Sequence, residues 1–174
     1  MNKNSFKNIA TEVINLEIDA LRILKKSINK NFDKAVNTIV NCQSKIILCG
    51  VGKSGLIAAK IASTLSSVGS PAFSLSANDC LHGDLGSITK KDILILISNS
   101  GKSEEIIPII KFANRNKIKL IGIVSKKNSY LYKGSDIKIL LPEVKESGLG
   151  VVPTSSTSIQ LAIGDALAVA ALKK

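Results

Sequence analysis

The sequence predicts an α/β fold, a three-layer αβα sandwich around a mainly parallel sheet of about five strands. Three observations carry this reading. Short, wholly apolar runs such as Ile93-Leu94-Ile95-Leu96-Ile97 have the form of strands buried on both faces. Segments with helical spacing alternate with these runs, which is the order of βαβ units. Loops rich in glycine and hydroxyl groups follow the apolar runs at 46–49 and 93–97, where ligands of open parallel sheets bind.

From the N-terminus, Ile9, Val13, Leu16, Ala20, Ile23 and Leu24 recur at helical spacing and lay one stripe along a long helix. A second helix is expected over residues 32–40. The stripe exceeds what a local hairpin needs, which makes it a candidate oligomer interface. The first strand is Ile46-Ile47-Leu48-Cys49, and a helix runs on from Ser54. Strands follow at Ala72-Phe73-Ser74-Leu75, at 93–97, at Leu120-Ile121-Gly122-Ile123-Val124 and at Ile137-Lys138-Ile139-Leu140-Leu141. Helices are expected over 104–114 and 154–172. The chain thus divides into N-terminal helices (1–44) and an α/β core (45–174), together one domain, with no repeat or linker.

Composition narrows the function classes. At 174 residues with 45% hydrophobic and 21% charged residues, the chain is an ordinary globular one. Aromatics are 3% and Trp is absent, so the core must be aliphatic. The net charge of +11 raises nucleic-acid binding. Against it, the lysines are scattered, Arg22 and Arg115 are the only arginines, and stacking aromatics are scarce. No nucleic-acid partner is expected; a positive field still attracts small anionic ligands. Cys42, Cys49 and Cys80 form no C-x-x-C pair, so neither a disulfide framework nor a zinc site is predicted, and a reducing cytoplasm is expected. No signal-peptide pattern opens the chain, and the apolar run 159–172 is interrupted by Gly164 and Asp165, as in a buried helix rather than a membrane span.

The chemistry-bearing loops come next. Gly50-Val51-Gly52-Lys53-Ser54-Gly55 matches G-x-G-x-x-G and admits a dinucleotide reading, although the motif alone is weak. Ile47 stands where a Walker loop requires its first glycine. Lys53 is either a solvated cation or a charge aimed at a ligand. Ser98-Asn99-Ser100-Gly101-Lys102-Ser103 leads into a helix, where hydroxyls and free N–H groups can cradle one phosphate monoester. The plainer alternative is that Ser100 or Ser103 caps that helix. His82, the only histidine, lies in Leu81-His82-Gly83-Asp84-Leu85-Gly86 between the second and third strands, and imidazole is a side chain suited to proton transfer. Glu146 precedes Pro153-Thr154-Ser155-Ser156-Thr157, a hydroxyl run that by itself reads as a helix cap.

In this order and at these separations, G-V-G-K-S-G, L-H-G-D-L-G, S-N-S-G-K-S-E-E, P-T-S-S-T and G-D-A-L-A resemble the sugar isomerase (SIS) domain with its flavodoxin-like sheet. L-H-G-D-L-G with P-T-S-S-T narrows the resemblance to the D-arabinose 5-phosphate isomerases. It implies interconversion of D-ribulose 5-phosphate and D-arabinose 5-phosphate for Kdo and lipopolysaccharide synthesis, by a homotetramer without an organic cofactor. By the same resemblance, Gly52, Ser54, Ser98, Asn99, Ser100, Ser103 and Thr154 bind the phosphate. Lys53, His82, Glu105 (rather than its neighbour Glu104) and Glu146 carry the chemistry. Moving a carbonyl between C1 and C2 through an enediol needs a base, a second acid/base group and a charge beside the enediolate. His82 is assigned as principal base, Glu146 or Glu105 as its partner and Lys53 as the stabiliser.

The chain departs from the family pattern in three ways. Before P-T-S-S-T the family usually shows E-A-C-P, whereas Glu146-Ser147-Gly148 stands here in a loop one residue shorter, which can displace that carboxylate. No pair of CBS domains follows, so nucleotide regulation through them is not expected. A further histidine of longer relatives is missing. Three other functions compete: a non-catalytic sugar-phosphate sensor, an isomerase of another ketose phosphate, and a Rossmann oxidoreductase. If His82 is the general base, His82→Ala lowers turnover by about 100-fold or more; near-normal turnover in a steady-state assay overturns the assignment.

Overall fold

A computed structural model describes residues 5–174. Five strands, β1 (Ile46–Gly50), β2 (Ala72–Ser76), β3 (Ile93–Ser98), β4 (Lys119–Val124) and β5 (Ile137–Leu140), form one sheet in the order β2-β1-β3-β4-β5. Every pairing is parallel. The register aligns Gly50 with Ser76 and with Ile97, so the first three strands end at one level.

Alternation along the strands feeds two cores, because successive side chains point to opposite faces. Ile46, Leu48, Ile93, Ile95 and Ile97 pack with α1 (Phe6–Ser27), α2 (Lys30–Val40), α3 (Lys53–Ser67) and α7 (Ser155–Leu172). Ile47, Cys49, Leu94 and Leu96 pack on the other face with α4 (Ala77–Cys80), α5 (Ile106–Arg115) and α6 (Tyr130–Gly134). β1 and β3 are buried along their whole length, the reason their sequences are apolar without alternation. β2 is one of the two edges, where Phe73, Ser74 and Ser76 remain exposed. The expected three-layer architecture and five strands are therefore present.

Helix ends differ from expectation by one or two residues. α5 starts at Ile106 rather than 104, and α7 at Ser155 rather than 154. α4 and α6 were not legible, since four- and five-residue helices are too short to show a period. On α1, Ala20 and Leu24 are buried as expected, while Phe6, Ile14, Ile18 and Leu21 form a second, exposed apolar face. α7 is long and apolar enough to cross a bilayer by composition, but Ile159, Ile163 and Leu167 are buried in the core beside α1, α2 and α3.

The amino end of the sheet is tied by one carboxylate. Asp92, 1% exposed, stands before β3 and accepts hydrogen bonds from the Thr89 N–H (2.6 Å) and hydroxyl (2.9 Å). It also accepts from Lys45 Nζ at 3.0 Å and from the Lys45 N–H at 3.3 Å, next to β1. Burial by itself would raise its pKa, but hydrogen bonds from Ser44, Thr89 and Lys45 outweigh it and hold the carboxyl at about 2 against an ordinary 3.8. A depressed carboxyl stabilises the fold above its unfolded pKa and loses that contribution as pH falls through the folded one, here between about 4 and about 2. The shift corresponds to about 2 kcal/mol. Asp92→Asn is accordingly expected to cost about 2–3 kcal/mol at pH 7 and to flatten the acid limb of the stability profile. Urea midpoints unchanged from wild type at both pH 7 and pH 3 would refute this.

Candidate functional site

The loop after β1 owes its shape to three glycines. A Cβ on Gly50 would lie 2.8 Å from the Ser54 backbone, and one on Gly55 would lie 2.8 Å from the Gly50 carbonyl oxygen. Strand and helix can approach this closely only without side chains. Gly52 caps α3 at φ 57°, the left-handed region that glycine enters at least cost. Its carbonyl accepts from the N–H groups of Gly55 (3.0 Å) and Leu56 (3.3 Å). The first turn of α3 therefore faces the carboxyl ends of the strands with Lys53 exposed and Ser54 half-buried, and no side chain caps it.

Beside it lies a cleft of about 350 Å³ whose lining includes Lys53, Ser54, Asn99, Glu146, Ser156 and Gln160. Ser54 Oγ donates to Gln160 Oε1 at 3.2 Å. Asn99 projects from the end of β3, and its Oδ1 accepts from the Ser125 hydroxyl at 2.7 Å, which fixes the amide orientation. The loop's remaining hydroxyls do not cap α5. Its N-cap is Glu105, without a side-chain bond. Ser98 Oγ instead accepts from the Gly101 N–H (3.0 Å), and Ser100 Oγ from the Lys102 N–H (3.3 Å). Ser100 opens onto a neighbouring cavity of about 550 Å³ with Lys102, Lys126 and Glu143. The half-buried Ser103 lends its carbonyl to the Ile106 N–H at 3.2 Å.

Glu146 is the cap of α7. Its Oε2 accepts from the Thr154 N–H (2.8 Å) and hydroxyl (3.2 Å), and both carboxylate oxygens lie 3.3 Å from the Ser156 N. Burial tends to raise its pKa, yet the bonds from Ser156 and Thr154 prevail and hold it below the usual carboxylate range. The shorter loop thus does not remove Glu146 from the cleft. It occupies the positive end of an 18-residue helix, where a carboxylate is favoured. The Thr154 hydroxyl donates to Glu146 and its oxygen accepts from the Ser147 N–H at 3.1 Å, which makes it part of the cap.

The cleft brings Lys53, Ser54, Asn99 and Glu146 together. It does not include Glu105 or His82 among its lining residues. Glu105 is half-buried and Glu104 exposed at the start of α5. His82 is exposed in the turn after α4, its N–H donating to the Asp79 carbonyl at 2.8 Å. Just before that turn, Cys80 meets Cys49 of β1; this contact, then burial, pushes the Cys49 thiol up, while Cys80 is lowered by the hydrogen bond from Cys49. Sequence reasoning missed Ser125, Ser156 and Gln160. The i, i+4 pair Ser156 and Gln160, on the buried side of an apolar helix, was the available signal.

Removing the cap leaves the N–H groups of Thr154 and Ser156 without a partner. Glu146→Ala should cost about 1–2 kcal/mol. The wild-type contribution is present above the ordinary carboxylate range and lost as pH falls through the depressed folded pKa. Chemical denaturation of Glu146→Ala with unchanged stability at neutral pH would rule out the capping role.

Three comparisons bear on this site. The family model described as SIS domain matches residues 39–170. Arabinose 5-phosphate isomerase KdsD of Yersinia pestis is 43% identical over 169 residues, 97% of this chain and 52% of its own length. The Francisella tularensis protein of the same name is 44% identical over 170 residues, 95% of this chain and 52% of its own. The chain thus spans about half the length of the curated relatives it matches. A solved structure of an E. coli CFT073 protein in complex with arabinose 5-phosphate superposes with TM-score 0.94 at 33% identity, covering 99% of this chain and 93% of that one. The glycine loop, the hydroxyl loop and the capped start of α7 fall inside the matched segment, and the chain belongs to the SIS domain family.

Proposed function

We propose that this chain is the catalytic SIS domain of an arabinose 5-phosphate isomerase, interconverting D-ribulose 5-phosphate and D-arabinose 5-phosphate in the supply of Kdo for lipopolysaccharide. The observation that carries this reading is the cleft itself, which sets a cation, Lys53, and a carboxylate, Glu146, beside Ser54 and Asn99. A cavity near the lower end of the range for small-molecule sites, about 300–1,000 Å³, suits one monosaccharide phosphate better than a dinucleotide. The names of the curated relatives and the arabinose 5-phosphate held by the E. coli neighbour support the same substrate.

In this proposal the phosphate sits at the uncapped start of α3, between Ser54 and Asn99 of the loop 98–103, where Gly52 leaves the backbone open. α7 is not available to an anion, since Glu146 already fills its positive end. The sugar then extends toward Lys53 and Glu146. Lys53 stabilises the negative charge on the enediolate oxygen. A base removes a proton from C1 of ribulose 5-phosphate, the enediol forms, and a proton is returned to C2 as the aldehyde forms at C1. His82 remains our principal base, with Glu146 or Glu105 as its partner. A carboxylate held ionised by its donors, as Glu146 is, suits accepting a hydroxyl proton transiently better than retaining one. The exposed apolar face of α1 (Phe6 91%, Ile14 57%) supports the homotetramer proposed with this activity, and three free thiols fit the proposed cytoplasmic setting.

The test is incubation with D-ribulose 5-phosphate in deuterated water. Arabinose 5-phosphate carrying deuterium at C2 is the expected product. Sugar-phosphate binding without turnover would replace this reading with the sensor, and conversion only of another ketose phosphate would replace the substrate.

A further inference from the structure

Gln160 has no role in the reading above, yet its side chain is the one that holds Ser54. It lies one turn into α7, 1% exposed, and lines the cleft together with Ser156 four residues earlier. Among the described residues, the 3.2 Å bond from Ser54 Oγ to Gln160 Oε1 is the only hydrogen bond engaging the Gln160 side chain. A buried amide is costly unless its groups are used, and this one is placed on a helix face otherwise built from Ile159, Ile163 and Leu167.

The donor inventory gives the arrangement a consequence. A serine hydroxyl carries one proton, and a phosphate dianion only accepts. As the two side chains stand, that proton is directed to Gln160, and Ser54 has none to offer a phosphate. When a phosphate monoester enters, the Ser54 O–H can turn to it only if its bond to Gln160 breaks or reverses. A glutamine can reverse it. Half a turn about the last side-chain torsion replaces Oε1 by Nε2, which then donates to Ser54 Oγ. A hydroxyl that accepts one hydrogen bond becomes a better donor in the next.

We propose that Gln160 is a positioning residue of the phosphate site: its carbonyl holds the Ser54 hydroxyl and, by exchange for its N–H, it backs Ser54 as a donor when a phosphate monoester binds. This rests on the proposed placement of the phosphate beside Ser54, but not on the identity of the sugar or on turnover. Gln160 acts through Ser54 and needs no contact with the reacting carbons. Glutamate at this position would be the worst replacement, since a carboxylate accepts the Ser54 proton and cannot reverse.

The test is a double-mutant cycle read by calorimetric titration with inorganic phosphate and with arabinose 5-phosphate, on the full chain. Gln160→Leu is expected to weaken both ligands about tenfold, the size of one lost hydrogen bond, and Gln160→Glu about 100-fold. In a Ser54→Ala background, Gln160→Leu should change affinity by no more than about twofold, because the group it acts through is gone. In turnover, Gln160→Leu should raise KM about tenfold and leave kcat within about threefold, a split that general loosening of α7 would not give. Thermal midpoints check the fold, and Gln160→Met, which keeps the unbranched length, replaces Gln160→Leu in the cycle if that variant does not fold. Phosphate affinity of Gln160→Leu equal to wild type, or an equal loss with and without Ser54, overturns the proposal, as does a wild-type chain that binds no phosphate. Wild-type phosphate binding with a non-additive cycle but no ribulose 5-phosphate conversion would remove the isomerase reading and leave Gln160 in place. Normal turnover with an additive cycle would do the reverse.

Discussion

The pairing of β1 with β3 is the constraint on which the remainder of this protein depends. Both strands are buried on both faces, and the connections leaving them diverge: α3 follows β1 onto one face and α5 follows β3 onto the other. Between two neighbouring parallel strands whose crossovers part, the chain cannot close over the carboxyl ends, and a crevice is left there. The cleft occupies this crevice. Its walls, the first turn of α3 and the loop after β3, are the two places where backbone N–H groups and hydroxyls were already collected by the need to begin a helix.

That crevice would be wide and ill-defined without a third wall, and Glu146 supplies the means to build it. By accepting from Thr154 and Ser156 it fastens the start of α7 to the loop that precedes it. The same carboxylate then cannot be neutralised without loosening the helix, so its charge and its position are one property. Ser156 and Gln160 reach the cleft because the helix is held there. The arrangement couples structure to function in a specific way: the group that carries negative charge into the site is also the group that orders it.

Stability and chemistry are separated along the strands. At the amino end, Asp92 joins the segments before β1 and β3 through Lys45 and Thr89. At the carboxyl end, polar side chains are aimed at a cavity instead of at one another, apart from the few bonds that orient them, such as Ser125 to Asn99 and Ser54 to Gln160. The sheet between is an aliphatic slab with no aromatic packing to speak of, which the shape of the branched residues in β1, β3 and β4 is sufficient to fill.

By itself the sequence determined the layers, the five strands and the two loops that open the cleft, because period and apolar runs are local properties that burial enforces residue by residue. Glycine positions were equally legible, since close strand–helix approach and a left-handed φ admit little else. Tertiary structure decided what the hydroxyls and carboxylates do. Thr154 was open to two readings, cap or phosphate contact, and its hydroxyl is engaged in the cap; capping was the plainer reading of Ser100 and Ser103, yet they leave α5 uncapped. His82 lies outside the cleft of one chain, while Gln160, silent in a helix of apolar residues, lies within it. The reason is physical: a hydrogen bond depends on distance and on which partner has already taken the proton. Spacing along the chain fixes neither for residues such as Ser54 and Gln160, which meet only after α7 packs against α3.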